Sequence, residues 1–269
     1  LPEKTLSLIR KLFSVQMPNG CAMHQFFPLT MEGTMGDSVE EDGKPKYYGD
    51  DNLWIILSVT DYVKETGDLD FLKEEIPYYN REKNCPSTDI GTILDHMERS
   101  IEFTHGNTGP HGLPFLGFAD WNDAVNLDTG AESLFIANLY GKALKEMIAL
   151  FSFLGDSEKE AKYTGYYNEM KEIFNKHAWD GEWFLRYFDF DGTPLGSRNN
   201  SVGQIYTNAQ SWPVLSGFAP PDQAKIALDS VNKHLNTSKG IKLSRPGYNK
   251  YDVQTGGITS YPPGAKENG

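Results

Sequence analysis

The stretch Ala131-Glu-Ser-Leu-Phe-Ile-Ala-Asn-Leu-Tyr-Gly-Lys-Ala-Leu-Lys-Glu-Met-Ile-Ala-Leu-Phe-Ser-Phe-Leu154 decides the fold class of this 269-residue chain. Its apolar residues recur at helical spacing and cover more than one stripe of the helix surface. A helix that is apolar over most of its surface is typical of a buried core element. Gly155 and Asp156 follow and mark its end. We therefore predict a heavily buried helix over residues 131–154.

Helical patterns recur on both sides of this segment, and strand patterns are scarce. Further helices are predicted at 6–13, 53–63, 90–103, 158–177, 207–218 and 221–235, with a short acidic helix at 70–75 that stops at Pro77. Residues 179–192 resemble a small hairpin with Asp191-Gly192 at its turn. Because the connections are long, a simple bundle fits poorly. The pattern favours a mainly all-α toroid of helical hairpins, with long loops gathered at one end to form a cleft.

The composition excludes some classes of partner. A formal net charge of −12 and a pI near 4.9 argue against nucleic acids and anionic membrane surfaces, although a local basic pocket for phosphate remains possible. No apolar run approaches the ~20 residues of a membrane span. Cys21 and Cys85 are the only cysteines, and they form neither a disulfide framework nor a metal motif. With no signal-like start, we expect a cytoplasmic protein without a metal ion.

The stretch that precedes the predicted central helix carries a candidate functional site. Asp120, Trp121, Asn122 and Asp123 follow one another after an apolar run broken by proline and glycine. Two carboxyls, an indole and an amide suit a sugar site, because sugar hydroxyls need polar partners and glycosidic cleavage needs a proton donor. The alternative is a structural loop, in which Asp120 or Asp123 caps the next helix and Trp121 is core.

Other polar residues have plain structural interpretations. We expect His24 to be a loop histidine satisfied by backbone groups rather than a cleft residue. Asp50 and Asp51 are expected to cap the helix at 53–63. Glu132 is expected to interact favourably with the positive, N-terminal end of the dipole of the central helix. Four of the tryptophans are expected in the core: Trp54, Trp179, Trp183 and Trp212.

An ordered set of motifs resembles the cellobiose phosphorylase family, the inverting disaccharide phosphorylases of glycoside hydrolase family 94. The set includes Gln16-Met-Pro-Asn-Gly20, Asp50-Asp-x-Leu-Trp54, Gly109-Pro-His-Gly-Leu-Pro114, Ala119-Asp-Trp-Asn-Asp123, Ala131-Glu-Ser133, His177-x-Trp-Asp-Gly-x-Trp183 and Tyr261-Pro-Pro-Gly-Ala-Lys-Glu-Asn-Gly269. The resemblance implies an (α/α)6 barrel, preceded in full-length members by a β-sandwich domain. It also implies reversible phosphorolysis of a β-glucoside with inversion, which yields an α-sugar 1-phosphate.

The resemblance assigns roles to individual residues. Asp123, the last residue of its motif, would be the general acid, and Trp121 would contribute to sugar binding. Glu267 would line the site with Lys266 beside it, and Asp120 would bind substrate. Inorganic phosphate would be the co-substrate, and no cofactor is expected. A hydrolytic pair of Asp120 and Asp123 fits poorly, because helix residues three apart are only about 5–6 Å from each other.

The chain also departs from the family pattern. The family's phosphate-binding histidine and Thr-Gly pair would fall beyond residue 269, and about eight helical segments are found where a closed barrel needs twelve. We therefore expect residues 1–269 to be a single, incomplete barrel domain, without the β-sandwich and the C-terminal end of the barrel. Cellobiose is the first substrate candidate, with cellobionate, chitobiose, laminaribiose or cellodextrin as alternatives. A non-catalytic carbohydrate-binding fragment is a further alternative, and the full-length protein could be a homodimer.

Overall fold

Helices dominate the computed structural model, which describes residues 2–36, 43–253 and 255–269. The α-helices within those ranges are α1 (Pro2–Phe13), α2 (Asp51–Thr66), α3 (Ile93–Gly106), α4 (Leu134–Leu154), α5 (Ser157–His177), α6 (Thr207–Ser216) and α7 (Pro221–His234). They do not close a barrel within these ranges. The prediction of a mainly all-α fold without a closed barrel is confirmed for these ranges. No helix in the described part of the chain has both the length and the apolarity needed to cross a membrane.

Helix α4 is the centre of the core, as its sequence predicts. It packs against α2, α5 and α6, and most of its side chains are buried. The Ser133 hydroxyl caps its first turn by accepting a hydrogen bond from the Ile136 amide at 3.2 Å. Gly155 ends it with φ of 75°. Because each fully buried large apolar side chain stabilises a fold by about 1.5–3 kcal/mol, α4 is a main source of stability.

Gly141 on α4 allows the Phe218 ring to approach the helix closely. A Cβ atom at Gly141 would lie 2.3 Å from the Phe218 ring, whereas a Cβ at Gly165 on α5 would meet open space. We expect Gly141→Ala to destabilise the protein by about 1–3 kcal/mol through overpacking. The control Gly165→Ala should instead stabilise it by about 0.5–1 kcal/mol. Urea unfolding of both variants measures this, and equal effects would contradict the packing argument.

The longest strands form a hairpin that was not predicted. The expected helix at 70–75 is a 3-10 turn, Asp70–Lys73, and the chain continues as β3 (Glu75–Asn80) straight through Pro77. Antiparallel β4 (Cys85–Thr92) pairs with it, so α3 begins at Ile93 and not at residue 90. Proline is tolerated because a two-stranded sheet consists only of edge strands. The exposure of the side chains in β4 alternates from residue to residue, as expected for a strand with one face towards the protein.

Short strands near the start of α4 bring distant segments together. A three-stranded sheet joins β5 (Glu132–Ser133), β6 (Tyr187–Phe188) and β7 (Pro194–Leu195). The predicted turn at Asp191-Gly192 is present, but it connects β6 to β7, so the hairpin extends past residue 192. The other strands form two-residue pairs: β1 (Gln25–Phe26) with β2 (Gly33–Thr34), β8 (Ile205–Tyr206) with β11 (Ser244–Arg245), and β9 (Asn236–Thr237) with β10 (Gly240–Ile241).

Candidate active site

The loop at 120–123 alternates between buried and exposed side chains. Asp120 and Asn122 are buried, whereas Trp121 is 46% exposed and Asp123 is also exposed. Each buried residue folds the backbone onto its own side chain. The Asn122 amide donates to Asp120 Oδ1 at 3.0 Å, and the Ala124 amide donates to Asn122 Oδ1 at 3.2 Å. The inward residues therefore hold the loop, and the outward ones face solvent.

Both carboxylate oxygens of the buried Asp120 accept hydrogen bonds from protein groups. Arg186 donates to both of its carboxylate oxygens at 2.7 Å. The Ser133 hydroxyl donates to Oδ2 at 2.7 Å, and the Tyr187 hydroxyl donates to Oδ1 at 3.3 Å. The substrate-binding role expected for Asp120 stays a prediction, and in this structure its oxygens are buried and already bonded to protein groups.

Arg186 is held as a cation in the core. Burial alone would lower the pKa of its guanidinium, but the Asp120 carboxylate more than compensates and keeps that pKa above the usual value. The guanidinium also lies over the Tyr187 ring at 4.1 Å and near the Phe135 ring at 5.0 Å. The sequence offers one signal for this pair. An arginine within the apolar run Trp183-Phe-Leu-Arg-Tyr-Phe188 needs a buried counter-ion.

The environment of Asp123 favours its protonated form. Its pKa is raised chiefly by burial against surrounding protein, although the carboxyl itself remains accessible to solvent. The His24 ring opposes this shift, and the carboxylates of Asp51, Glu267 and Asp120 add to it. Like charges disfavour ionisation of a nearby carboxyl. Asp123 is thus a solvent-facing carboxyl that keeps its proton to higher pH than an ordinary aspartate, as a proton donor requires.

A histidine–aspartate pair lies close to this carboxyl. His24 Nδ1 is 3.1 Å from Asp51 Oδ2, and the His24 ring stacks on Tyr48 at 3.5 Å. His24 therefore has a carboxylate partner, in a place where backbone partners are expected from the sequence. Asp50 occupies the N-cap of α2 without a capping bond from its side chain, which instead accepts from Trp54 Nε1 at 2.7 Å.

The last segment of the chain docks onto the loop that follows Asp123. The Ile258 amide donates to the Ala124 carbonyl at 2.7 Å. Gly256, with φ of 81°, lies so near Asn126 that an added Cβ would be 2.7 Å from its backbone nitrogen. Asn268 is buried and exchanges hydrogen bonds with the Tyr248 backbone at 2.6 and 2.8 Å. These contacts hold residues 256–268 at the site.

Both predicted site residues of this last segment lie beside the anchor Asn268. The Glu267 carboxylate is close enough to Asp123 for its charge to raise the pKa of that carboxyl. Lys266 is exposed, and its ammonium lies 5.7 Å from the centre of the Tyr261 ring. The structure thus brings Glu267 towards Asp123 and places Lys266 at the surface next to it.

Glu132 binds the turn at residues 111–113. It is buried, and its Oε1 accepts from the backbone amides of His111 at 3.0 Å and Leu113 at 3.1 Å. Its Oε2 lies 2.5 Å from His111 Nδ1. Glu132 therefore fixes the turn that leads into the 120–123 loop. Among the described residues, no three His, Cys, Asp or Glu side chains are grouped to hold a metal ion.

Comparisons of the whole chain with known proteins identify its family. Residues 1–269 match the family described as "Glycosyl hydrolase 94 superfamily, catalytic domain". The chain is 30% identical to solabiose phosphorylase of Paenibacillus borealis, with 100% of this chain and 33% of the relative covered. It is 31% identical to N,N'-diacetylchitobiose phosphorylase of Vibrio furnissii, with 100% and 35% covered. The chain thus spans about a third of the length of these relatives.

Solved structures of two rhamnosidases share the fold. A rhamnosidase from Klebsiella oxytoca with rhamnose bound superposes with a TM-score of 0.52 at 15% identity, over 85% of this chain and 38% of that one. The family 78 rhamnosidase of Bacillus sp. GL1 has the same TM-score at 16% identity, over 69% and 17%. These likenesses concern the fold alone. From the match over its whole length, the chain belongs to the catalytic domain of the glycosyl hydrolase 94 superfamily.

Proposed function

We propose that this chain supplies the general acid in the active site of an inverting disaccharide phosphorylase. One observation carries the proposal: Asp123, a carboxyl with a raised pKa, faces solvent beside the exposed Trp121 ring on a loop held from within. A raised pKa suits a general acid at neutral pH. An exposed indole next to it offers a flat apolar surface to a pyranose ring.

The proposed reaction needs one protonated carboxyl. Asp123 donates its proton to the glycosidic oxygen as the bond from that oxygen to the anomeric carbon breaks. Phosphate attacks the anomeric carbon from the opposite face, so a β-glycoside yields an α-sugar 1-phosphate and the free acceptor sugar. A hydrolase would need a second carboxylate to activate water. Phosphate is already an anionic nucleophile, which explains why one carboxyl suffices.

Glu267, Lys266 and Trp121 are proposed to bind the sugars around Asp123. The carboxylate of Glu267 can accept from hydroxyls, and the Lys266 ammonium can donate to them. No cofactor takes part in the proposed reaction. A cytoplasmic location and a homodimer stay predictions from the sequence.

We propose cellobiose as the first substrate candidate. Matching relatives carry the names of phosphorylases for solabiose, N,N'-diacetylchitobiose and cellobionic acid, so the named substrate varies among them. Cellobionate, chitobiose, laminaribiose and cellodextrins are therefore the alternatives to be assayed beside cellobiose.

Phosphate dependence tests the proposed function. The complete gene product is incubated with each disaccharide, with and without phosphate, and the first product is followed by anomer-resolved NMR. We expect cleavage only with phosphate and an α-sugar 1-phosphate as the first product. Equal release of sugar without phosphate would indicate a hydrolase, with Glu267 as the base. Absence of turnover on every disaccharide would favour a carbohydrate-binding role.

The charge of Glu267 should affect the pH dependence of kcat/KM. Because its carboxylate raises the pKa of Asp123, Glu267→Gln should lower that pKa. The protonated acid is then lost at lower pH, so the alkaline limb of kcat/KM should move to lower pH. As a control, Glu182→Gln removes a carboxylate that pairs with Lys233 and should leave the limb in place. An unchanged or upward-moving limb would exclude this electrostatic effect.

A further inference from the structure

The buried ion pair of Asp120 and Arg186 lies directly behind the two exposed residues of the loop. Their side chains are 0% and 1% exposed, respectively, and two parallel hydrogen bonds of 2.7 Å join them. Such bidentate pairs fix both the distance and the orientation of a carboxylate. Because both side chains are buried, Asp120 could contact a sugar only if its two hydrogen bonds to Arg186 were broken.

Asp120 links three separate parts of the fold. It accepts from the Asn122 amide of its own loop, from the Ser133 hydroxyl at the start of α4, and from Arg186 and Tyr187 at β6. The Ser133 hydroxyl also accepts from the Ile136 amide and thereby caps α4. The backbone that carries Asp123 is consequently tied both to the most buried helix and to the small sheet.

We propose that Asp120 is the positioning residue for the proposed general acid Asp123, and that Arg186 and Ser133 lock Asp120 in place. This inference rests on the proposed function. The inward turn from Asp120 to Asn122 determines where the next side chain, Asp123, points. A misplacement of about 1 Å at a reacting group can cost about 10²-fold in rate. Net stability alone gives little reason for the pair, since apolar residues of similar volume often serve as well.

The test compares two substrates that differ in their need for an acid. The disaccharide cleaved by the wild type needs protonation of its leaving oxygen, whereas the 2,4-dinitrophenyl β-glycoside of the same transferred sugar does not. Asp120→Asn alone leaves Arg186 without its counter-ion and can fail to fold. The complete gene product therefore carries the neutral double change Asp120→Asn/Arg186→Gln. We expect kcat on the disaccharide to fall by about 10- to 100-fold. Turnover of the aryl glycoside should stay within about 3-fold, with KM little changed.

A second variant keeps the ion pair and removes the Ser133 hydroxyl, which also accepts a hydrogen bond from Arg186 Nη1 at 3.2 Å. Ser133→Ala deletes a donor to Asp120 and the cap of α4, so Asp156→Ala, which deletes the equivalent cap of α5, is its matched control. Ser133→Ala should lower the ratio of disaccharide to aryl glycoside turnover, and Asp156→Ala should not. For the double variant, Glu146→Gln is the control, because it neutralises another buried carboxylate, paired with Lys64 and Lys142.

Other outcomes would overturn the inference. Equal losses on both substrates would show that the pair only supports the fold. A raised KM for both substrates with unchanged kcat would show that Asp120 contacts the sugar. If the wild type shows no phosphate-dependent cleavage, the proposed function fails and the positioning role fails with it. A wild type that is active and an unchanged double variant would reject the positioning role alone.

Discussion

Asp123→Asn is expected to lower kcat for phosphorolysis of the disaccharide by about 10²–10⁴-fold, the usual contribution of a general acid. An amide has the size of the carboxyl but cannot give a proton to the glycosidic oxygen. The fold should be unaffected, because the Asp123 side chain faces solvent and the backbone of the loop is held by its neighbours. Steady-state kinetics and circular dichroism of the complete gene product measure both parts of this prediction.

The control for this variant lies a few residues away. Asp128→Asn makes the same chemical change at a carboxylate that pairs with Lys44, and it should retain phosphorolysis. The 2,4-dinitrophenyl glycoside should also be turned over by Asp123→Asn, because its leaving group needs no proton. A variant that cleaves the disaccharide at close to the wild-type rate would remove Asp123 from the role of acid.

Arg186→Gln is expected to destabilise the protein by about 3–5 kcal/mol, the largest stability effect that we anticipate from one substitution. The change leaves the Asp120 carboxylate buried without its counter-ion, and a lone charge in the core is costly. Urea unfolding of the variant and the wild type provides the measurement.

A comparison with the neutral double variant separates the charge effect from a simple loss of packing. The double change Asp120→Asn/Arg186→Gln leaves no unpaired charge, so it should be more stable than Arg186→Gln alone. A loss of less than about 1 kcal/mol for the single variant, or a double variant less stable than the single one, would refute the argument from buried charge.

The main elements of the fold could be predicted because their signals are local. Helix α4 was found from its apolar coverage and from the glycine that follows it. The β3–β4 hairpin was missed because Pro77 was interpreted as a helix stop, and because Ile90 fits the helical period of the residues after it. A strand depends on its partner strand, and a pattern confined to one segment does not reveal that partner.

The positions of the site residues can be predicted only in part from the sequence, for the same reason. Asp120 and Asp123 are the same residue type three positions apart, and their sequence context gives no basis for telling a core carboxylate from a solvent-facing acid. Burial decides between them, and burial depends on Arg186, which is 66 residues further along the chain. Asn268 likewise could not be recognised as an anchor without its partner Tyr248, 20 residues earlier.

The separation of Asp120 and Arg186 also has a consequence for the order of folding. The chain between them, which are 66 positions apart, includes the whole of α4 and α5, and these helices pack against each other directly. Contacts between neighbouring helices form sooner than contacts that close a long loop, since the loop must first lose conformational freedom. Helical content should therefore return early during refolding, whereas the geometry around Asp123 is completed only when the two halves of the ion pair meet.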